Sequence, residues 1–231
     1  MADLRVVVRD LHRCAFLFTG SRAEALELVS AVVRSAARAR SGARFSTLIA
    51  AMARTVAKEQ RRTTTFSILD DDLRQRPKIT VAIAAIESLA WEAKRTCFAR
   101  VLGCLSGSLR VAFVLTDVLG FDPAQAAAML EIEEGAYRVR LARARRNVEG
   151  FLAPRCAHYA RSNPCSCSEV GPAWLELGVF DCPPGHDTPR RAHDEDPPIP
   201  QASLLYRRLP APELGPHELI GLAEALRGAD E

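Results

Sequence analysis

The sequence has few aromatic residues, few lysines and no long apolar run. Aromatic side chains make up 6% of the 231 residues. No uninterrupted apolar stretch approaches the roughly 20 residues that a membrane helix needs. Charges also interrupt the opening stretch MADLRVVVRDLHR, which excludes the apolar core of a secretory signal peptide. We therefore expect a cytoplasmic protein that does not contact a membrane.

The sequence also lacks the patterns that mark most enzymes. It has no glycine-rich phosphate loop, and none of its five histidines is placed beside a nucleophile in a way that suggests a triad. The acidic run from Asp70 to Asp72 falls in an expected linker and is interpreted as a solvated segment. We expect no catalytic residues and no enzymatic activity.

Apolar residues recur at helical spacing along most of the chain, whereas strand alternation is missing, and this predicts an all-α fold. One helix is expected to begin at Ser21, an N-cap with Glu24 three residues on as a capping box. A second helix is expected over residues 44–62. The periodicity is lost over residues 63–78, which predicts a flexible linker that a protease cuts first.

The stretch GFDPAQAAAMLEIEEGAYRVRLARARR has the pattern of a helix-turn-helix. Asp122 is the expected N-cap, and Pro123 occupies the first helical position, where its missing N–H costs nothing. After the turn EIE, a second helix is expected to begin near Glu134. Its inner face would hold Tyr137, Leu141, Ala144, Val148 and Phe151. Its outer face carries five arginines, whose planar guanidinium groups suit phosphate oxygens and guanine edges: Arg138, Arg140, Arg143, Arg145 and Arg146.

Seven cysteines, an odd number, make a disulfide framework the weaker interpretation in a reducing compartment. Cys14, Cys97 and Cys104 lie in helical segments and are expected to be small core residues. The others crowd into CAHYARSNPCSC and the residues after it, where Asn163-Pro164 supplies a turn that brings Cys165 back towards Cys156. Thiolates at this spacing predict a zinc or monovalent copper site, although loose thiols in a disordered tail remain the alternative. The candidate ligands are Cys156, Cys165, Cys167, Cys182, His158 and His186.

The stretch from Leu115 to Leu152 resembles region 4 of the extracytoplasmic-function (ECF) sigma factors of the sigma-70 family. SRAEALELVSAVVRSA and FSTLIAAMARTVAKEQRR resemble region 2 of the same group, and the cysteine-rich extension is similar to that of metal-responsive, CorE-like members. The resemblance implies a factor that binds core RNA polymerase and directs it to promoter DNA, gated by metal on the tail. An alternative is a sigma-like regulator that binds polymerase or a protein partner without opening promoters, and whether an anti-sigma partner exists stays open.

The resemblance also implies a role for individual residues. Polymerase would be bound by Glu27, Leu28 and Ser30. In the major groove of the minus-35 element, region 4 would use Ala136 and Tyr137 together with the five arginines named above. At the minus-10 element, the second helix would use Arg54, Lys58, Arg61 and Arg62. The implied domains are a region 2-like domain (1–62), a linker (63–78), a region 4-like domain (79–154), a cysteine-rich segment (155–187) and a proline-rich tail with a short helix (188–231). This short helix is expected to be amphipathic, with Leu219, Leu222 and Leu226 on one side.

Overall fold

The fold is described from a computed structural model over residues 4–39, 44–59, 63–75, 80–180, 197–209, 212 and 214–227. Within these ranges the chain forms α-helices and no strand, which confirms the predicted all-α fold. None of these helices is long and apolar enough to cross a membrane. The helices are α1 (Leu4–Thr19), α2 (Arg22–Ala39), α3 (Phe45–Lys58), α4 (Phe66–Arg74), α5 (Ile83–Gly103), α6 (Gly107–Phe113), α7 (Pro123–Leu130), α8 (Glu134–Leu152), α9 (Cys167–Glu176), α10 (Ala202–Arg207) and α11 (Pro216–Arg227), with a π-helical turn over Val114–Val118.

The helices predicted near the N-terminus form as expected. The Ser21 hydroxyl accepts a hydrogen bond from the backbone N–H of Glu24 at 3.4 Å, as an N-cap does. In α3 the apolar face is buried at Leu48, Ile49, Met52 and Val56. Helix α1 precedes them and buries a continuous apolar face against α2 and α3.

Part of the segment predicted as an irregular linker is helical. Helix α4 is capped by Thr65, whose hydroxyl accepts from the Ile68 N–H at 3.3 Å, and it buries Leu69 and Leu73. Its acidic run is not merely solvated, because the Asp70 carboxylate accepts from Arg155 Nε at 2.6 Å. This hydrogen bond is the main reason why the pKa of Asp70 is lowered.

One hydrophobic core joins the helices on both sides of residues 63–78. Helix α6 begins directly against the end of α3, where a Cβ on Gly107 would lie 2.0 Å from the Val56 carbonyl oxygen. Only glycine permits this approach. The N-terminal helices and the helix-turn-helix are therefore in contact, while the predicted boundaries between domains stay a prediction.

The C-terminal segment adds two helices to this core. Helix α11 packs on α1 and α2 through the predicted face of Leu219, Leu222 and Leu226, which is buried. Helix α10 buries Tyr206, whose hydroxyl donates to the Phe98 carbonyl at 2.9 Å. The tail thus contributes to the core at two places, against α1 and α2 and against α5.

Candidate nucleic-acid interface and cysteine cluster

The helix-turn-helix has the caps that the sequence predicts. The Asp122 carboxylate accepts from the Gln125 N–H at 2.8 Å, and Gln125 Oε1 accepts from the Asp122 N–H at 3.3 Å, which completes a capping box. Pro123 is the first residue of α7. Ala126 and Ala127 are buried, and their small side chains let α7 pack closely against α8.

The turn between α7 and α8 is held by a residue from the N-terminal part of the chain. Glu131 ends α7 in the left-handed region, with φ at 57°. Arg54 of α3 donates from Nη1 to the Met129 carbonyl oxygen at 2.9 Å and lies 3.3 Å from a Glu131 carboxylate oxygen. A cation at this position satisfies free carbonyls at the end of a helix and complements its dipole. The guanidinium of Arg54, a predicted minus-10 contact, therefore binds the turn in this structure.

The inner face of α8 is buried as predicted, at Tyr137, Leu141, Ala144, Val148 and Phe151. Tyr137, which is also a predicted DNA contact, has a side chain with no exposed surface in this structure. Its hydroxyl donates to the Ala112 carbonyl at 2.9 Å and lies 2.8 Å from the Thr116 hydroxyl. Burial raises the pKa of Tyr137 to about 12, so the phenol stays neutral. Tyr137 holds α8 on α6 instead.

The outer face of α8 presents arginines that differ in their partners. Arg138 forms an ion pair with Glu134 one turn earlier, with Nε 2.7 Å from the carboxylate oxygen. Arg140, Arg143 and Arg146 form no ion pair with any residue in the described ranges. Arg143 and Arg146 are exposed, as is Ala136, and Arg140 is half-buried. Three guanidinium groups on one face of this helix are thus available to an anionic ligand.

The Arg145 side chain is exposed, but its guanidinium contacts a buried carboxylate. Its guanidinium donates to both carboxylate oxygens of Asp117, at 2.8 Å from Nε and 2.6 Å from Nη2. Asp117 lies in the π-helical turn and is 7% exposed. The hydrogen bond to Asp117 also raises the pKa of Arg145. This bidentate pair fixes α8 against the π-helical turn that follows α6.

We predict that Arg145→Ala lowers the free energy of unfolding, because it leaves the buried Asp117 carboxylate without its partner. The expected loss is about 1–3 kcal/mol, measured by urea denaturation followed by circular dichroism. Arg146→Ala, on the neighbouring exposed position, is the control and should change stability by less than about 0.5 kcal/mol. Equal losses in the two variants would contradict the structural role of Arg145.

The other predicted DNA and polymerase contacts are spread over α2 and α3. Lys58 is exposed in the last turn of α3, while Arg61 and Arg62 lie outside the described residues. Glu27 is exposed, and Leu28 and Ser30 are half-buried. Leu28 lines a groove between the two helices with Ala31, Val32, Ser35, Ala36, Thr47, Leu48, Ala51 and Thr55. The residues that line this groove are largely apolar.

The clustered cysteines lie after α8, in a loop that doubles back on itself. Cys156 and Cys165 form an isolated parallel bridge, with the Ala157 N–H donating to the Cys165 carbonyl at 3.1 Å. Asn163 holds the loop by donating from its side chain to the carbonyls of Ala153 at 2.6 Å and Cys156 at 3.0 Å. The predicted return of Cys165 to Cys156 at Asn163-Pro164 is thus confirmed.

Four of the six candidate metal ligands come together here. Cys156, Cys167 and His158 are buried, and Cys165 is partly exposed. Cys167 Sγ lies 3.6 Å from His158 Nε2. Cys182 and His186 lie outside the described residues. Across the described ranges, no three His, Cys, Asp or Glu side chains are arranged so that they could hold a metal ion as they stand.

Sequence reasoning missed two residues of these sites. Asp117 precedes Arg145 by 28 positions, and no local pattern connects them. Cys97 was expected to be a core cysteine, and it is buried; it also lines a pocket with the clustered cysteines. The seven-residue spacing of Cys97 from Ala90 places it on the buried face of the helix, but this spacing does not predict that other cysteines lie next to it.

Comparison with known proteins identifies one part of the chain. Residues 95–148, from the second half of α5 to near the end of α8, match the family described as Sigma-70, region 4. Searches among curated proteins and among solved structures gave no match. The helix-turn-helix formed by α7 and α8, with its exposed arginines, therefore lies within a segment that is similar to region 4 of the sigma-70 family.

Proposed function

We propose that this chain is an ECF-type sigma factor that directs core RNA polymerase to promoter DNA. The observation that carries the proposal is the face of α8 with Arg140, Arg143 and Arg146, which no described acid neutralises. It lies on the second helix of a helix-turn-helix within the matched region 4. In this motif the second helix enters the major groove and contacts base edges. Here that groove would be the major groove of the minus-35 element.

The polymerase would bind at α2 and α3. The groove between these helices is lined by apolar residues that include Leu28 and Leu48, and Glu27, which directly precedes Leu28 in the chain, is exposed. An apolar groove flanked by a charge suits an amphipathic helical partner. This surface supports the proposed contact with core polymerase, which would take place in the cytoplasm.

The cysteine loop would gate this activity by binding zinc or monovalent copper. Its support is the chemistry of the donors, because Cys156, Cys165, Cys167 and His158 are gathered in one loop and soft metals prefer thiolate and imidazole ligands. Cys182 and His186 remain candidate ligands. The donor set fits such an ion, although the side chains would have to turn towards a common centre. The loop directly follows α8, so that a change in it acts on the DNA-facing helix.

The test is run-off transcription with core polymerase and single variants of α8. We expect Arg140→Ala, Arg143→Ala and Arg146→Ala each to weaken promoter binding by about 1–3 kcal/mol if the arginine reads a base. An arginine that contacts a phosphate would instead lower the slope of log affinity against log salt by about one. Arg208→Ala removes an exposed arginine from the end of α10 and is the control for loss of charge alone.

Two results would contradict the proposal. If all three α8 variants bind promoter with unchanged affinity and salt slope, α8 does not contact DNA. If Arg208→Ala weakens binding as much as they do, the effect is one of net charge. The measurements should use the complex with polymerase, because polymerase positions region 4 on the promoter in the proposed function.

A second candidate function is a regulator that binds polymerase without opening promoters. The observation that favours it is the contact of Arg54 with Met129 and Glu131. This contact engages a guanidinium that was predicted to bind the minus-10 element, and it joins α3 to the turn of the helix-turn-helix. In the same run-off experiment this class predicts polymerase binding without transcript on double-stranded and on pre-melted promoters. Transcript from either template identifies a sigma factor.

A further inference from the structure

We propose that Cys97, a residue of the region 4 domain itself, is a ligand of the same soft-metal site as Cys156, Cys165 and Cys167. The inference rests on the proposed metal gating and extends it, because it places one ligand in α5 rather than in the tail. The four cysteines line a single small pocket. They come from α5, from the turn after α8, and from the loop that leads into α9.

The helices around the pocket hold these segments at close distance. Helix α9 packs along α5, where a Cβ on Gly171 would lie 2.8 Å from the Leu89 carbonyl oxygen. Cys167 is the first residue of α9. Close packing of the two helices therefore sets Cys167 and Cys97 at the same pocket.

The composition of the pocket distinguishes it from an ordinary core. Arg155 apart, the residues that line it with the thiols are apolar: Leu73, Ala93, Phe98, Phe151, Leu152 and Val170. Cys14 and Cys104 are buried as completely, yet they do not line this pocket. Six cysteines lie in the described residues, and four of them share one apolar pocket. A soft cation is the ligand that such a set of thiols prefers.

The pocket adjoins a larger groove, which shares Leu73, Arg155 and Cys165 with it. Cys165 is the partly exposed thiol of the four, so it would be the first to meet an incoming ion. Binding would then join α5, the loop and the start of α9 through one centre.

The experiment uses the full chain under reducing conditions, freed of metal and titrated with Zn²⁺ and with Co²⁺ as a spectroscopic probe. Thiolate ligands give Co²⁺ an intense charge-transfer absorption that grows with their number. We expect Cys97→Ser to lose about one thiolate's share of this absorption. It should also bind Zn²⁺ more than about 100-fold more weakly, because replacing even a residue that only hydrogen-bonds to a metal ligand lowers metal affinity about 10–100-fold.

The matched control is Cys104→Ser, which changes an equally buried cysteine just after the end of the same helix. It should keep the affinity and the spectrum of the wild type. If Cys97→Ser also keeps them while Cys165→Ser and Cys167→Ser lose them, Cys97 is a core residue and the inference fails, but the proposed gating stands. If the wild type binds neither ion, or forms a Cys156–Cys165 disulfide instead, both fail, while the sigma activity is still tested by transcription.

A second measurement covers the case in which Cys97→Ser does not fold. Alkylation of the wild type, followed residue by residue by mass spectrometry, needs no substitution. Zn²⁺ should slow labelling of Cys97 more than labelling of Cys104. Equal slowing at both positions would mean that the ion only stabilises the fold, and it would overturn the assignment.

Discussion

Arg110→Leu should lower the free energy of unfolding by about 3–5 kcal/mol, comparable to breaking a buried ion pair. The Arg110 side chain is buried and donates to backbone carbonyls from two parts of the chain, α1 and the end of α5. The shortest hydrogen bonds run to Phe18 at 2.6 Å, Leu102 at 3.0 Å and Leu105 at 3.2 Å. Leucine would leave these oxygens in the core without donors, and each unsatisfied group costs about 1–3 kcal/mol.

The planar fork of arginine is what this position requires. Burial lowers the pKa of Arg110 because the loss of solvent disfavours the charged guanidinium. Lysine carries the same charge on a single point and cannot direct donors to several carbonyls at once. We therefore expect Arg110→Lys to recover only part of the stability lost in Arg110→Leu.

Urea denaturation followed by circular dichroism measures both variants. Arg34→Leu is the control, because Arg34 is exposed on α2 and its replacement should change stability by less than about 0.5 kcal/mol. A loss below about 1 kcal/mol for Arg110→Leu would show that water reaches the three carbonyls once the side chain is gone.

Tyr206→Ala should cost about 3–5 kcal/mol, the usual range for removing a buried aromatic side chain. Tyr206 has no exposed surface, and its ring packs at centroid distances of 4.9 Å from Phe98 and 5.2 Å from Phe113. Both partners lie within the region 4 match. The substitution therefore removes the contact that fixes α10 on this domain.

The companion Tyr206→Phe keeps the ring and removes only the hydrogen bond to the Phe98 carbonyl. It should cost about 0.5–1.5 kcal/mol, and the difference between the two variants measures the packing. Leu204→Ala is the control on the same helix, since Leu204 is 37% exposed. Hydrogen exchange should become faster over α10 in Tyr206→Ala and stay unchanged in Leu204→Ala. Slow exchange over α10 in all three would mean that other contacts hold the tail.

The sequence by itself determined the elements whose signals are local. Asp122, Pro123 and Gln125 specify the start of α7 through hydrogen bonds within one turn. The buried and exposed faces of α8, and the face of α11 with Leu219 and Leu222, follow from a period of 3.6 residues. These features could be read without knowing which part of the chain packs against them, and the structure confirms them.

Only the tertiary structure decided which distant residues meet. Arg110 reaches the Phe18 carbonyl across 92 positions, and Tyr206 reaches Phe98 across 108. Helix α4 was missed because its short run of apolar residues becomes stable only when Leu69 and Leu73 are buried by the rest of the core. Periodicity shows that a residue such as Cys97 faces inward, but the packing of helices far apart in sequence determines what it faces.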